Sequence, residues 1–122
     1  MLIETRVDVD INEVWDAVWS NDGQGFAYWV NKVRARDGGD FHAHSNTDAD
    51  VSEWRPNPHD FKVYDAEEDT WHEVTLYALA KAYVDANNSG MTHCGGYALT
   101  DPDACTEDIY LQMAVFGELR YG

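Results

Sequence analysis

Two histidines one residue apart, His42 and His44 in the stretch FHAH, are the first residues whose type and spacing could do chemistry. On a strand, side chains repeat every two residues, so both imidazoles would share a face. Two imidazoles on one face begin a zinc or iron site, and His59, His72 or an aspartate could supply a third ligand. Neither H-E-x-x-H nor a paired C-x-x-C accompanies them. The spacing therefore favours two exposed polar histidines over a metal-dependent enzyme, and no cofactor is implied.

A second group is His93, Cys94 and Cys105 in MTHCGGYALTDPDAC. A structural zinc needs four donors in closed tetrahedral geometry, and only three stand here. A Cys94–Cys105 bridge is geometrically open, but two cysteines in a reducing setting are expected as free thiols acting as small buried hydrophobes. Gly95 and Gly96 then allow a bend between two helices. Neither G-x-S-x-G nor a Walker lysine motif occurs, and adjacent His93 and Cys94 do not make a dyad. The balance is against an enzyme.

The dominant signal is charge. Twenty-three acids face eight bases, for a net charge of −15. Such a surface repels nucleic acid and anionic membrane and attracts basic partners. The acids gather in three stretches: Asp48, Asp50 and Glu53; Asp65, Glu67, Glu68 and Asp69; Asp101 and Asp103 with Glu107 and Asp108. Convergence of these stretches would give a band of carboxylates comparable to the backbone charge of DNA. The plain alternatives are a solubilising surface or adaptation to high salt, since 15 of the acids are Asp and only three residues are Lys. The few bases concentrate between positions 32 and 55, which raises a second reading: Tyr28, Trp29, Trp54 and Trp71 stack a base while Arg34, Arg36 and Arg55 hold phosphate.

The elements that must position these groups follow from periodicity. Ile3, Thr5, Val7 and Val9 alternate as a half-buried strand. Ile11, Val14, Trp15, Val18 and Trp19 make one apolar helix face, with Asp10 as cap and Glu13 at capping-box spacing. NDGQG is a turn. FAYWVNKVRA reads as a strand with Phe26, Tyr28, Val30 and Lys32 on one face and Ala27, Trp29, Asn31 and Val33 on the other. RDGGD is a hairpin turn leading to a short strand at FHAHS. Residues 46–60 read as a surface loop. Phe61–Tyr64 and Thr70–Val74 form a hairpin around an acidic turn. A helix capped by Thr75 runs to Gly90 with Leu76, Leu79, Ala80 and Tyr83 inward. A last helix begins at DPD (101–103) or at TED, where Thr106 would cap it and Glu107 and Asp108 would favour its dipole; it presents Ile109, Gln112, Met113 and Phe116 and stops at Gly117. ELRYG would add an edge strand.

The expected fold is α+β: an antiparallel sheet of about four or five strands with two or three helices on one face, in a single domain over residues 1–122. The chain of 122 residues, 44% apolar, is large enough to bury a core without staples. Its apolar runs fall short of a membrane span, and its start lacks a leader pattern, so a cytoplasmic location is expected.

The tail DIYLQMAVFGELRYG and the HCGGY stretch resemble small accessory proteins of actinobacterial phages, through Phe116, Gly117, Glu118, Tyr121 and Gly122. The resemblance implies a non-structural phage protein acting in the host cytoplasm and provides no active site. Combined with the charge, it leads to the expectation of a non-enzymatic inhibitor that binds a host protein with a basic surface. A nucleic-acid-binding defence factor would suit, met by a DNA-mimic-like face, with no direct nucleic-acid or membrane contact. The rival expectation is a sponge for a nucleotide immune signal. A homo-oligomer is compatible with either.

Overall fold

In the computed structural model, the described residues are 8–21, 23–36, 40–41, 58–89, 92–93, 97–98 and 104–121. Helix α1, Ile11–Val18, begins where Asp10 accepts the Asn12 N–H at 3.0 Å. That cap satisfies one donor a helix start leaves unpaired. Glu13 accepts the Tyr83 hydroxyl at 3.1 Å, tying α1 to the second helix. Val14, Trp15 and Val18 are buried, as is Trp19 just past the end. Phe61 meets both Trp15 and Trp19 at 5.7 Å between ring centres. The heptad-like stripe thus becomes the aromatic centre of the core.

The stretch expected as one long strand divides in two. Gln24–Phe26 is a 3-10 turn, entered through Gly23 at φ 79°, and residues 27–29 continue as turns. Strand β1 is only Val30–Arg34. Against its partner, Val30 faces Asp65 and Lys32 faces Tyr64, so Asn31 is an inserted bulge residue. A bulge shifts side-chain phase by one. Val30 and Val33 therefore both enter the core while Lys32 stays exposed. The predicted two-faced alternation fails at that single residue.

β2, Asp40–Phe41, pairs antiparallel with β1. β3, Phe61–Asp65, and β4, Thr70–Val74, form the expected hairpin, with Asp69 in the left-handed region at φ 54°. The order is β2-β1-β3-β4, all antiparallel. Three five-residue strands thus make the sheet, with a two-residue edge piece, rather than four or five strands; the α+β class stands. A separate two-residue ribbon joins β5, Thr92–His93, to β6, Tyr97–Ala98.

Helix α2, Leu76–Asn88, is capped twice: Thr75 accepts the Ala78 N–H and Asp60 accepts the Leu76 N–H. Leu79, Ala82 and Ala86 are its buried face. That face is rotated from the expected one, leaving Leu76, Ala80 and Tyr83 half-buried. Helix α3, Ala104–Phe116, starts before Thr106, which is buried within it rather than capping it. Glu107, Ile109, Tyr110, Leu111 and Gln112 are also buried. The middle turn of α3, Ile109–Gln112, is buried on every side, as expected of a central helix, and α3 packs against α1, α2, β4 and the 3-10 turn. It stops at Gly117, φ 72°, whose N–H reaches the Met113 carbonyl.

The tail does not add a strand. Gln112 Oε1 accepts the N–H groups of Arg120 and Tyr121, and its Nε2 donates to the Tyr121 carbonyl. The chain end is folded back over α3. Cys105, in the first turn of α3, is disulfide-bonded, which corrects the expected free thiol; the other cysteine in the sequence is Cys94. The expectation came from an inferred compartment, and composition does not determine compartment. The expected strand before residue 8, the FHAHS strand beyond Phe41 and most of the 46–60 loop lie outside the described residues.

Candidate binding face of the sheet

Strand register decides which charges share a face. Lys32, Tyr64 and Trp71 form one cross-strand row, and Arg34, Lys62 and Glu73 the next. The intervening rows, with Val33, Phe61, Val63 and Val74, point into the core. Helix contacts to the sheet fall on that inner side: Trp15 on Phe61, and Phe116 on His72 at 5.2 Å. On the outer face Lys32, Lys62 and Glu73 are exposed, and Arg34, Tyr64 and Trp71 half-buried.

The outer face is preorganised around Arg34. Its Nε donates to Asp40 Oδ1 at 2.8 Å, and its guanidinium carbon lies 4.3 Å from the centre of the Trp71 ring. Tyr64 packs edge-on to Trp71 at 5.4 Å. The hydrogen bond from Arg34 holds the Asp40 carboxyl below its ordinary range, and Asp40 raises the Arg34 pKa in turn. The result is a flat cation backed by an indole. Beside it a groove of about 220 Å³ is lined by Arg34, Ala35, Arg36, Asp60, Phe61, Lys62 and Glu73. Lys32, Arg34, Arg36 and Lys62 are half of the eight basic residues of the chain. Of these four, only Arg34 has an ion pair among the described residues.

Of the residues expected to hold a nucleotide, Arg34, Arg36 and Trp71 come together here. Trp29 does not: it is fully buried, its Nε1 donates to Asp108 at 2.8 Å, and its ring packs on Phe116 and Tyr121. Tyr28 belongs to the same network, its hydroxyl donating to Asp108 at 2.6 Å. Burial and the Asp108 carboxylate push the Tyr28 pKa far up. Trp54 and Arg55 lie outside the described residues. Lys62 and Lys32 were missed, because only strand register brings position 62 beside position 34.

Only part of the acidic stretches falls within the described residues. Asp48, Asp50, Glu53, Asp101 and Asp103 lie outside the described residues. Glu67, Glu68 and Asp69 are exposed at the β3–β4 turn. Asp65 is fully buried and cannot serve a surface. Its Oδ1 accepts the Glu67 and Glu68 N–H groups, and its Oδ2 meets the Tyr121 hydroxyl at 2.9 Å and His72 Nε2 at 3.2 Å. Burial alone would raise its pKa, but these hydrogen bonds together hold it below the usual carboxylate range. Glu107 is buried too, and accepts the N–H groups of Asn21, Gly23 and Gly25 at 2.8–3.0 Å. Further exposed carboxylates sit on separate elements: Asp10, Glu13 and Asp16 around α1, Asp85 on α2, Glu118 in the tail.

For metals, Asp65, Glu68 and His72 bring one donor atom each within 4.8 Å of one another. All three are already engaged: Asp65 as above, His72 by Asp65, and Glu68 by Arg120. His42 and His44 lie outside the described residues. His59 is buried with its ring 5.8 Å from Trp15, a core position rather than an open ligand. Among the described residues no helix is long and apolar enough to cross a membrane. No protein-family model, no curated protein and no solved structure matches the chain.

Proposed function

We propose that the protein is a non-enzymatic binder whose open sheet face takes a small anion carrying a flat ring, the nucleotide class. One observation carries this reading. A chain of net charge −15 places Lys32, Arg34, Arg36 and Lys62 on and beside one face, around a guanidinium whose carbon lies 4.3 Å over the Trp71 ring. Scattered surface bases in so acidic a chain are expected to pair with the surplus carboxylates. Stacked arginine presents both a planar surface for a ring and charge for a phosphate. In the phage setting that the tail resemblance implies, such a binder would sequester a nucleotide immune signal. A thermal-shift screen against nucleotides tests it: stabilisation by at least one nucleotide, lost in Arg36→Gln/Lys62→Gln, is the expected result. No stabilisation by any nucleotide removes it.

A second reading retains the expectation of a host protein bound through acid. The observation favouring it is the run Glu67, Glu68 and Asp69, exposed together at one turn. Binding of a basic partner there would weaken as salt rises. Pull-down from host lysate at two salt concentrations, with wild type and Glu67→Gln/Asp69→Asn, distinguishes it; affinity indifferent to both salt and substitution counts against it.

A further inference from the structure

The proposed face also restricts the form in which a nucleotide arrives. We infer that it takes one free nucleotide at a time, base on the Arg34–Trp71 stack and phosphates between Arg36 and Lys62, and rejects single-stranded nucleic acid. This rests on the reading of the sheet face as the binding face.

Three observations lead there. First, the groove of about 220 Å³ is below the roughly 300 Å³ at the small end of ligand pockets. It suits a phosphate group and leaves the ring outside, on the flat cation that shares its wall. Arg34 belongs to both parts, lining the groove and covering Trp71. Guanidinium planes stack bases, and a bidentate neighbour such as Asp40 keeps that plane from swinging away.

Second, the basic area is small. Strands are spaced about 4.8 Å apart and rise about 3.3 Å per residue, so three five-residue strands offer a face of roughly 10 by 17 Å. A single strand of nucleic acid would leave it within a few nucleotides.

Third, its surroundings repel. One end of the face is bounded by exposed Glu67 and Asp69 at the β3–β4 turn, and Asp60 and Glu73 stand within the groove itself. Charges closer than about 8 Å interact with little screening at physiological ionic strength. A polyanion running off the patch adds the Glu67–Asp69 turn and a strongly negative chain to the two groove carboxylates, whereas a free nucleotide meets only Asp60 and Glu73, offset by Arg36 and Lys62 beside them. Affinity for a polymer normally comes from many phosphate contacts, and this face has room for one or two.

The test is a competition titration on the intact, oxidised protein. Its probes are the four ribonucleoside triphosphates, their nucleosides, tripolyphosphate and a short mixed-sequence single strand. At least one triphosphate is expected to bind, with its nucleoside and tripolyphosphate each weaker by about tenfold or more. The strand is expected not to compete at equal nucleotide concentration, even at low salt. Arg34→Lys keeps the charge but loses the plane, so it should erase the gap between triphosphate and tripolyphosphate. Arg36→Gln/Lys62→Gln should weaken both. Competition by the strand overturns the single-nucleotide inference and leaves the ring-anion reading intact. Binding of no triphosphate at all overturns that reading itself. Triphosphate binding insensitive to all three substitutions places the ligand elsewhere and overturns the pose.

Discussion

The Tyr121 hydroxyl, one residue from the chain end, donates to the fully buried carboxylate of Asp65 at 2.9 Å. This bond joins the tail to the hairpin across the molecule. The same carboxylate accepts two N–H groups of its own turn, so Asp65 sets the hairpin and docks the tail at once.

The first prediction concerns this pair. Truncating a buried carboxylate with several hydrogen bonds leaves donors unpaired, so Asp65→Ala should cost about 3 kcal/mol. Tyr121→Phe should destabilise by less, since it removes one donor and leaves the other bonds to Asp65 in place. Urea denaturation measures both, and a double-mutant cycle should show coupling between them.

The pair also has two pH windows. The Asp65 pKa is held down, so its contribution is complete above the usual carboxylate range and is lost as pH falls through the folded value. The Tyr121 pKa is pushed up to about 12, by desolvation first and then by its bond to Asp65. Its contribution is complete below the ordinary tyrosine pKa of about 10 and is lost as pH rises toward 12. Urea midpoints across pH should fall at both ends, and Tyr121→Phe should flatten the alkaline fall. An alkaline limb unchanged by Tyr121→Phe would contradict the assignment.

Glu107 carries the third prediction. Its carboxylate gathers the N–H groups of Asn21, Gly23 and Gly25, fixing the turn that leads from α1 into the sheet. Glu107→Ala should cost about 3 kcal/mol or more, and Glu107→Gln less, since an amide still offers one accepting oxygen. Hydrogen exchange should report lost protection at these three amides before the sheet amides change.

The disulfide at Cys105 gives a fourth expectation. Thiol titration of the denatured, unreduced protein should find no free thiol. Reduction should destabilise by about 2–4 kcal/mol, as closing a loop of moderate length does. Two titratable thiols in the protein as purified would be the contrary finding.

What could be read in advance divides along physical lines. α1 was legible because its stripe of Val14, Trp15, Val18 and Trp19 packs one face and Asp10 caps it locally. The β3–β4 hairpin was legible for the same reason, with period two on either side of a polar turn. α3 was only half legible: its middle turn, Ile109–Gln112, is enclosed on every side and shows no stripe, and its buried Glu107 and Gln112 look like solvent residues in the sequence. Their partners stand far along the chain, Asn21, Gly23 and Gly25 for one and the tail for the other. The bulge at Asn31 was invisible because period-two reasoning has no term for an inserted residue. It moved Lys32 off the face of Val30 and onto that of Trp71, whereas Trp29 is carried inward by the turn that precedes β1. Within the candidate site, the density of bases after position 32 pointed to Arg34 and Arg36. Lys62 and Tyr64 needed the register.

The fifth prediction follows from that face being exposed. Arg36→Gln and Lys62→Gln should change stability by under about 0.5 kcal/mol, as substitutions at solvated positions do. Their effect belongs to ligand affinity.

The most direct measurement is amide-resolved NMR of the protein titrated with the nucleoside triphosphate that stabilises it best. Shift changes are expected at Lys32, Arg34, Arg36, Lys62 and Trp71, with the amides of α1 and the Glu67–Asp69 turn unmoved. Changes confined to that acidic turn or to the helices, or no change at saturating nucleotide, would contradict binding at the sheet face.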